Sequence, residues 1–126
     1  MTISKFTNQV QIINDKKYDL EERTAKFGED ILDFCKTVNI TVITKPLVNQ
    51  LVRSGTSIGA NYMEANGADS KKDFKAKISI CKKESKETMH WLRMISKAQS
   101  DKREKALLLW KEVHELSLIF GAINRK

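Results

Sequence analysis

Between residues 71 and 105, 12 Lys or Arg stand against 5 Asp or Glu, a balance of +7 that equals the net charge of the whole 126-residue chain. Within that segment Lys72, Lys75, Lys82, Lys86, His90, Arg93 and Lys97 recur at steps of three, four or seven. Such steps put them on one face of a helix, roughly 100° round from the apolar stripe of the same segment. Cations crowded on one face repel each other, and a polyanion relieves the repulsion. The chemistry these residues offer is phosphate binding, carried by Lys72, Lys75, Lys82, Lys86, Arg93 and Lys97. No base-reading module accompanies them, so contacts with RNA or DNA should be phosphate-led and weakly sequence-specific. The alternatives are a solvated, solubilising surface or a face for an acidic protein partner.

The other flank of the segment carries Ile80, Glu84, Glu87, Trp91 and Met94 at helical spacing. Glu84, Glu87 and His90 spell E-x-x-E-x-x-H, and di-iron bundles use Glu-x-x-His on two helices with a Glu from each of two others. A second half-site is missing: Glu112, His114 and Glu115 have the wrong offsets, and Glu64 stands alone. Carboxylates at i, i+3 among lysines are ordinarily surface ion pairs, so no metal or other cofactor is expected. No nucleophile and base signature, Walker loop or dinucleotide fingerprint is present, which argues against an enzyme; an oxidase built round Glu87 and His90 is the contrasting reading. Ile80, Trp91 and Met94, with Trp110 beside Leu107 and Leu108 further on, exceed what a single core stripe needs. Apolar and aromatic excess of this kind marks a subunit interface, against the alternative of one broad core in a monomer. Cys35 and Cys81 fall on apolar stripes and read as buried free thiols.

Four helices must position these residues. The chain is 40% hydrophobic and 31% charged, with 5 Gly and 1 Pro, too few turn-formers for a many-stranded sandwich or barrel. Its length suits one domain. No apolar run is long enough to span a bilayer and no secretory signal opens the chain, so a soluble, cytoplasmic protein without membrane contact is expected. Residues 1–18 form a polar N-terminal arm in which Val10, Ile12 and Ile13 could pair with something; residues 19–126 form the bundle. Asp19 is an N-cap for a stripe of Leu20, Thr24, Phe27, Ile31, Phe34 and Val38. Ile40, Val42 and Ile43 then read as an extended loop covering the bundle end. Thr44 and Pro46 start the second helix, with Leu47, Leu51, Ser54, Ile58, Tyr62 and Ala65 inward and a left-handed cap at Asn66-Gly67. Its centre, from Ser54 to Ala60, is small, and two internal glycines cost about 1 kcal/mol each against Ala; close approach of another helix is the expected compensation. Ser70 with Asp73 opens the third helix (Phe74, Ile78, Cys81, Ser85, Thr88, Leu92, Ile95), and Asp101 with Glu104 opens the fourth (Ala106, Leu109, Val113, Leu116, Phe120, Ile123). Short joins force antiparallel neighbours, giving an all-α, up-down-up-down four-helix bundle.

The run Pro46-Leu47, Gln50 to Tyr62 and Glu64-Ala65, followed by Ser70, Lys72-Asp73-Phe74, Lys77-Ile78, Ile80, Lys83-Glu84, Glu87-Thr88 and Trp91-Leu92, resembles the four-helix bundle proteins encoded by intervening sequences within bacterial 23S ribosomal RNA genes. The two blocks occur in order and cover roughly residues 18 to 98; Gly55 and Gly67 stand where Ala would be expected. The resemblance implies a ring-like homopentamer. It also implies a relation to the accessory proteins of diversity-generating retroelements, which have a basic surface and associate with nucleic acid and a reverse transcriptase. It brings no catalytic residue. The expectation is a non-enzymatic homo-oligomer that binds RNA or DNA through its third helix.

Overall fold

The computed structural model describes residues 19–126, so the N-terminal arm lies outside the described residues. Four α-helices follow in order: α1 Leu20–Thr37, α2 Thr44–Asn66, α3 Lys71–Ala98 and α4 Arg103–Asn124, with a single 3-10 turn at Ser100–Lys102. Every regular element among the described residues is helical. Side-chain pairs between α2 and α3 fix their relative direction: Arg53 meets Glu87, Ser54 meets Thr88, Cys81 faces the Ile58 carbonyl and Glu64 meets Lys77. From Arg53 and Ser54 to Ile58 and Glu64 the partner number falls from 87 and 88 to 81 and 77, so the two are antiparallel. The Asn39 N–H donates to Gln99 Oε1 at 2.9 Å, which places the α1–α2 and α3–α4 joins at the same end. This is the expected up-down-up-down four-helix bundle.

The stripes that define it are buried as their spacing requires. Thr24, Phe27, Ile31 and Phe34 of α1, Leu51, Ser54 and Ile58 of α2, Ile78 through Ile95 of α3 and Val113, Leu116 and Phe120 of α4 form one continuous core. Phe74, Tyr62 and Ile123 close its edges and stay half-buried. Burial of apolar area at about 25 cal/mol per Å² is the main favourable contribution. Hydroxyls in the core are satisfied locally. Thr24 Oγ1 donates to the Leu20 carbonyl at 2.6 Å and Ser85 Oγ to the Cys81 carbonyl at 2.8 Å.

The small centre of α2 is explained by α1. A Cβ placed on Gly55 would lie 3.0 Å from Ile31 Cγ1, and one on Gly59 would lie 3.3 Å from Thr24 Oγ1. The two helix backbones approach so closely that larger residues would push them apart, and the lost helix propensity is offset by the packing of Ile31 and Thr24. The free edge of the square, between α1 and α4, is closed by charge. Arg23 Nε and Nη2 donate to the two carboxylate oxygens of Glu112 at 2.8 and 2.9 Å, and Nη2 reaches Glu115 at 3.1 Å.

Helix ends follow the expected pattern at two places and depart from it at three. Asp19 accepts from the Glu22 N–H at 3.1 Å and Ser70 from the Asp73 N–H at 3.0 Å, as capping residues should. The first departure is at Gly67, which ends α2 with φ −95° rather than in a left-handed turn; its N–H reaches the Met63 and Glu64 carbonyls without needing positive φ. Second, Asp101 does not cap α4: it sits inside the 3-10 turn, and α4 starts from Lys102 with no side-chain cap. Third, Ile40, Val42 and Ile43 do not cover the bundle end. They are 59, 92 and 63% exposed, because the join is folded by Thr41 and Thr44, whose side chains take its amide groups, and only Val38 turns inward.

Candidate nucleic-acid interface

Because Ile78, Cys81, Ser85, Thr88, Leu92 and Ile95 point into the core, the opposite side of α3 faces water over 28 residues. Lys72, Lys82, Lys86, Arg93 and Lys97 are all exposed on that outer side. Lys75 is half-buried at its edge, where Nζ lies 3.5 Å from the carbonyl of Asn124 at the end of α4. A lysine there also faces the negative end of the α4 dipole. Lys82 leans the same way, its Nζ 3.6 Å from the place a Cβ on Gly121 would take. Lys83 and His90 complete the ridge, and a shallow trough runs along Lys82, Lys83, Lys86 and His90, with Glu87 and Trp91 on its far side. Among the described residues, ion pairs engage Arg23, Lys26, Lys36, Arg53 and Lys77, and no cation of the ridge. The ridge is therefore a row of positive charge that the protein leaves without carboxylate partners.

Two of the three carboxylates of α3, Glu84 and Glu87, are bound to Arg53 of α2. Glu84 is 6% exposed, and its Oε2 accepts from Arg53 Nη1 at 2.9 Å and from Ser57 Oγ at 2.7 Å. Glu87 takes the other arm of the same guanidinium. His90 instead packs edge-on against Trp91, ring centroids 4.9 Å apart. The E-x-x-E-x-x-H spacing is thus divided between an interhelical ion pair and a surface ring. On α4, Glu112 and Glu115 hold Arg23 while His114 stacks on Trp110. Burial pushes the Cys35 thiol up from 9.0 to about 11 and the Cys81 thiol to about 12, so both remain protonated at neutral pH.

The four residues expected at a subunit contact are divided between two places. Ile80, Trp91 and Met94 are half-buried on the α2-facing flank of α3, with the Trp91 Nε1–H buried and lacking a hydrogen-bond partner. Trp110 lies over a groove between the end of α3 and the start of α4, of about 540 Å³, lined among others by Leu92, Arg93, Lys97, Arg103, Leu107 and Trp110. Both tryptophans pack in part against their own core. On α4 the exposed apolar side chains are Leu107, at the groove, and Leu108 and Leu118 away from it, 49, 58 and 59% exposed. Sequence spacing found Leu107 and Leu108, and missed Leu118, Lys83 and Arg103. Arg103 joins the cations of α3 only through helix packing, which no periodicity within one helix reveals.

With the bundle and its ridge in place, comparison with known proteins gives the lineage. The profile of the 23S rRNA-intervening sequence protein family matches residues 16–122. The chain belongs to that family. A crystal structure from Bacteroides thetaiotaomicron, of a protein of unknown function from the S23 ribosomal protein family, superposes with a TM-score of 0.75 at 29% identity, covering 84% of this chain and 98% of that one. No curated protein matches this chain significantly. None of its helices in the described residues is long and apolar enough to cross a membrane.

Proposed function

We propose that this member of the family is a binding protein, not an enzyme, that engages RNA or DNA through the outer ridge of α3 and does so as a homo-oligomer. The observation that carries the reading is the row formed by Lys72, Lys82, Lys86, Arg93 and Lys97, exposed and without carboxylate partners among the described residues, while Glu84 and Glu87 of the same helix are drawn to Arg53. A merely solubilising surface has no reason to separate its charges by sign. A polyanion gains from the separation because each phosphate neutralised releases condensed counterions. Self-association is supported by apolar surface that the subunit leaves uncovered at Leu108 and Leu118 and by the flank of Ile80, Trp91 and Met94; repetition of the ridge round an assembly would raise avidity for one polymer. A mobility-shift titration with a mixed-sequence RNA hairpin and a mixed-sequence DNA duplex at low salt tests the reading. Retardation that polyglutamate of equal charge displaces poorly is expected. No retardation of either, or ready displacement by polyglutamate, would favour an acidic protein partner instead.

A further inference from the structure

The groove between α3 and α4 combines two chemistries that rarely share a site. Its apolar lining is the buried Leu92, the half-buried Trp110 and the partly exposed Leu107; its charged lining is the exposed Arg93, Lys97 and Arg103, none of which takes part in an ion pair among the described residues. A phosphate alone would have no use for the apolar lining, and an apolar side chain alone would have no use for three cations. A nucleotide uses both. We propose that the groove is a slot for an unpaired base of a single-stranded polynucleotide, with the phosphates on either side of that base held by Arg93, Lys97 and Arg103. The proposal rests on the reading of the ridge as a phosphate-binding surface, and it names the form of nucleic acid that the surface selects.

Three observations favour a strand over other occupants. Arg93 and Lys97 belong to the α3 ridge and also to the groove lining, so a backbone following the ridge arrives at the slot without leaving positive charge. Trp110 stacks on His114, their ring centroids 5.0 Å apart and their planes 27° from parallel, and it packs in part against the core, so the indole that lines the groove is supported from its own subunit. A pre-set aromatic surface loses little conformational freedom when a base stacks on it. The volume, about 540 Å³, is that of a small-ligand pocket and accepts a base. A duplex reaches the ridge equally well, but its bases are stacked inside and enter the slot only after unstacking, which costs a few kcal/mol.

The test compares a fluorescein-labelled oligodeoxythymidylate with a blunt hairpin duplex carrying the same number of phosphates, by anisotropy on the full chain at several salt concentrations. The parent should bind the single strand about tenfold more tightly than the duplex, the size of one base stack. Trp110→Leu keeps that part of the lining apolar and should abolish that preference while leaving duplex affinity and the salt slope unchanged; Trp110→Phe should retain most of it. Circular dichroism monitors folding, and should Trp110→Leu unfold, the exposed Arg103→Gln serves in its place and should likewise lower single-strand affinity more than duplex affinity. Equal loss on both ligands, or no loss on either, overturns the slot. Equal parental affinity for both ligands overturns the slot and leaves the ridge reading standing; no binding of either at low salt overturns both. A leucine-bearing polyglutamate peptide that binds in a Trp110-dependent way while the oligonucleotide does not would reassign the groove to an acidic protein.

Discussion

Glu84 shows how a charged residue came to sit in the core of a lysine-rich helix. Its carboxylate is nearly dry, yet Arg53 and Ser57 both donate to it, and Thr88 below it is satisfied by the Glu84 carbonyl at 2.8 Å and lies 2.9 Å from Ser54 Oγ. Removing the arginine leaves a buried charge with one hydroxyl donor. A fully buried pair would cost about 3–5 kcal/mol to break, but the Arg53 side chain is 50% exposed and water can follow, so Arg53→Met should cost about 1–2 kcal/mol in urea unfolding. Adding Glu84→Leu should restore stability to within about 1 kcal/mol of the parent, since the carboxylate still released, Glu87, is 35% exposed and stays hydrated while no unpaired charge remains in the core; a silent single variant would show that the pair contributes nothing. The thiols give a second prediction at this scale. In the unfolded chain they ionise near 9.0, in the bundle only near 11 and 12, so as pH rises through 9 the unfolded state loses protons first. Stability from these groups is thus constant below pH 9 and declines from there to about pH 11 or 12. Urea midpoints across that range should fall less steeply in a Cys35→Ala/Cys81→Ala variant, and thiol reagents should label the native parent only as fast as it unfolds. That both cysteines were buried could be read from their stripes; that Glu84 was buried could not, because its partner lies on another helix.

At the scale of the element, α1 and α2 set a limit on substitution that helix propensity alone would get wrong. Alanine favours a helix over glycine by about 1 kcal/mol. At Gly28 an added Cβ would find Thr56 Cα at an ordinary 3.6 Å, so Gly28→Ala should gain up to about 1 kcal/mol. At Gly55 the same Cβ would press on Ile31 at 3.0 Å; overpacking of that kind costs about 1–3 kcal/mol, and Gly55→Ala should lose about 1 kcal/mol net despite its better propensity. Thermal unfolding of the two variants should move in opposite directions, and a stabilised Gly55→Ala would contradict the close packing. The stripes themselves were legible because burial imposes the 3.6-residue period on every core position. The joins were less so. Ile40, Val42 and Ile43 carry the composition of buried residues, but Thr41 and Thr44 hydroxyls satisfy the join backbone and leave those side chains in water. The start of α4 was misplaced for a related reason: a 3-10 turn took the residues, Asp101 among them, that resemble a cap.

The molecule as a whole divides its charges by face. Glu64 of α2, Glu84 and Glu87 of α3 and Glu112 and Glu115 of α4 are tied to Lys77, Arg53 and Arg23, which stitch neighbouring helices together, while the cations on the outer side of α3 have no carboxylate partner among the described residues. The ridge was visible in the sequence as periodicity plus local net charge; the groove at its end was not, since it needs α4 laid against α3. Light scattering at micromolar concentration should report a particle several times 14.5 kDa, because exposed leucines on α4 and the Trp91 flank gain about 25 cal/mol per Å² when covered; a clean monomer would confine the account to single-subunit binding. The most direct test of the central claim is the salt dependence of polynucleotide binding by Lys82→Gln/Lys86→Gln against the parent. Both side chains are exposed and away from the core, so the fold should tolerate the change within about 0.5 kcal/mol per site. Two lost phosphate contacts should lower the magnitude of the log–log slope by about 1.8 on duplex or about 1.4 on single strand for each subunit engaged. An unchanged slope with unchanged affinity at every salt concentration would show that the ridge of α3 binds no phosphate.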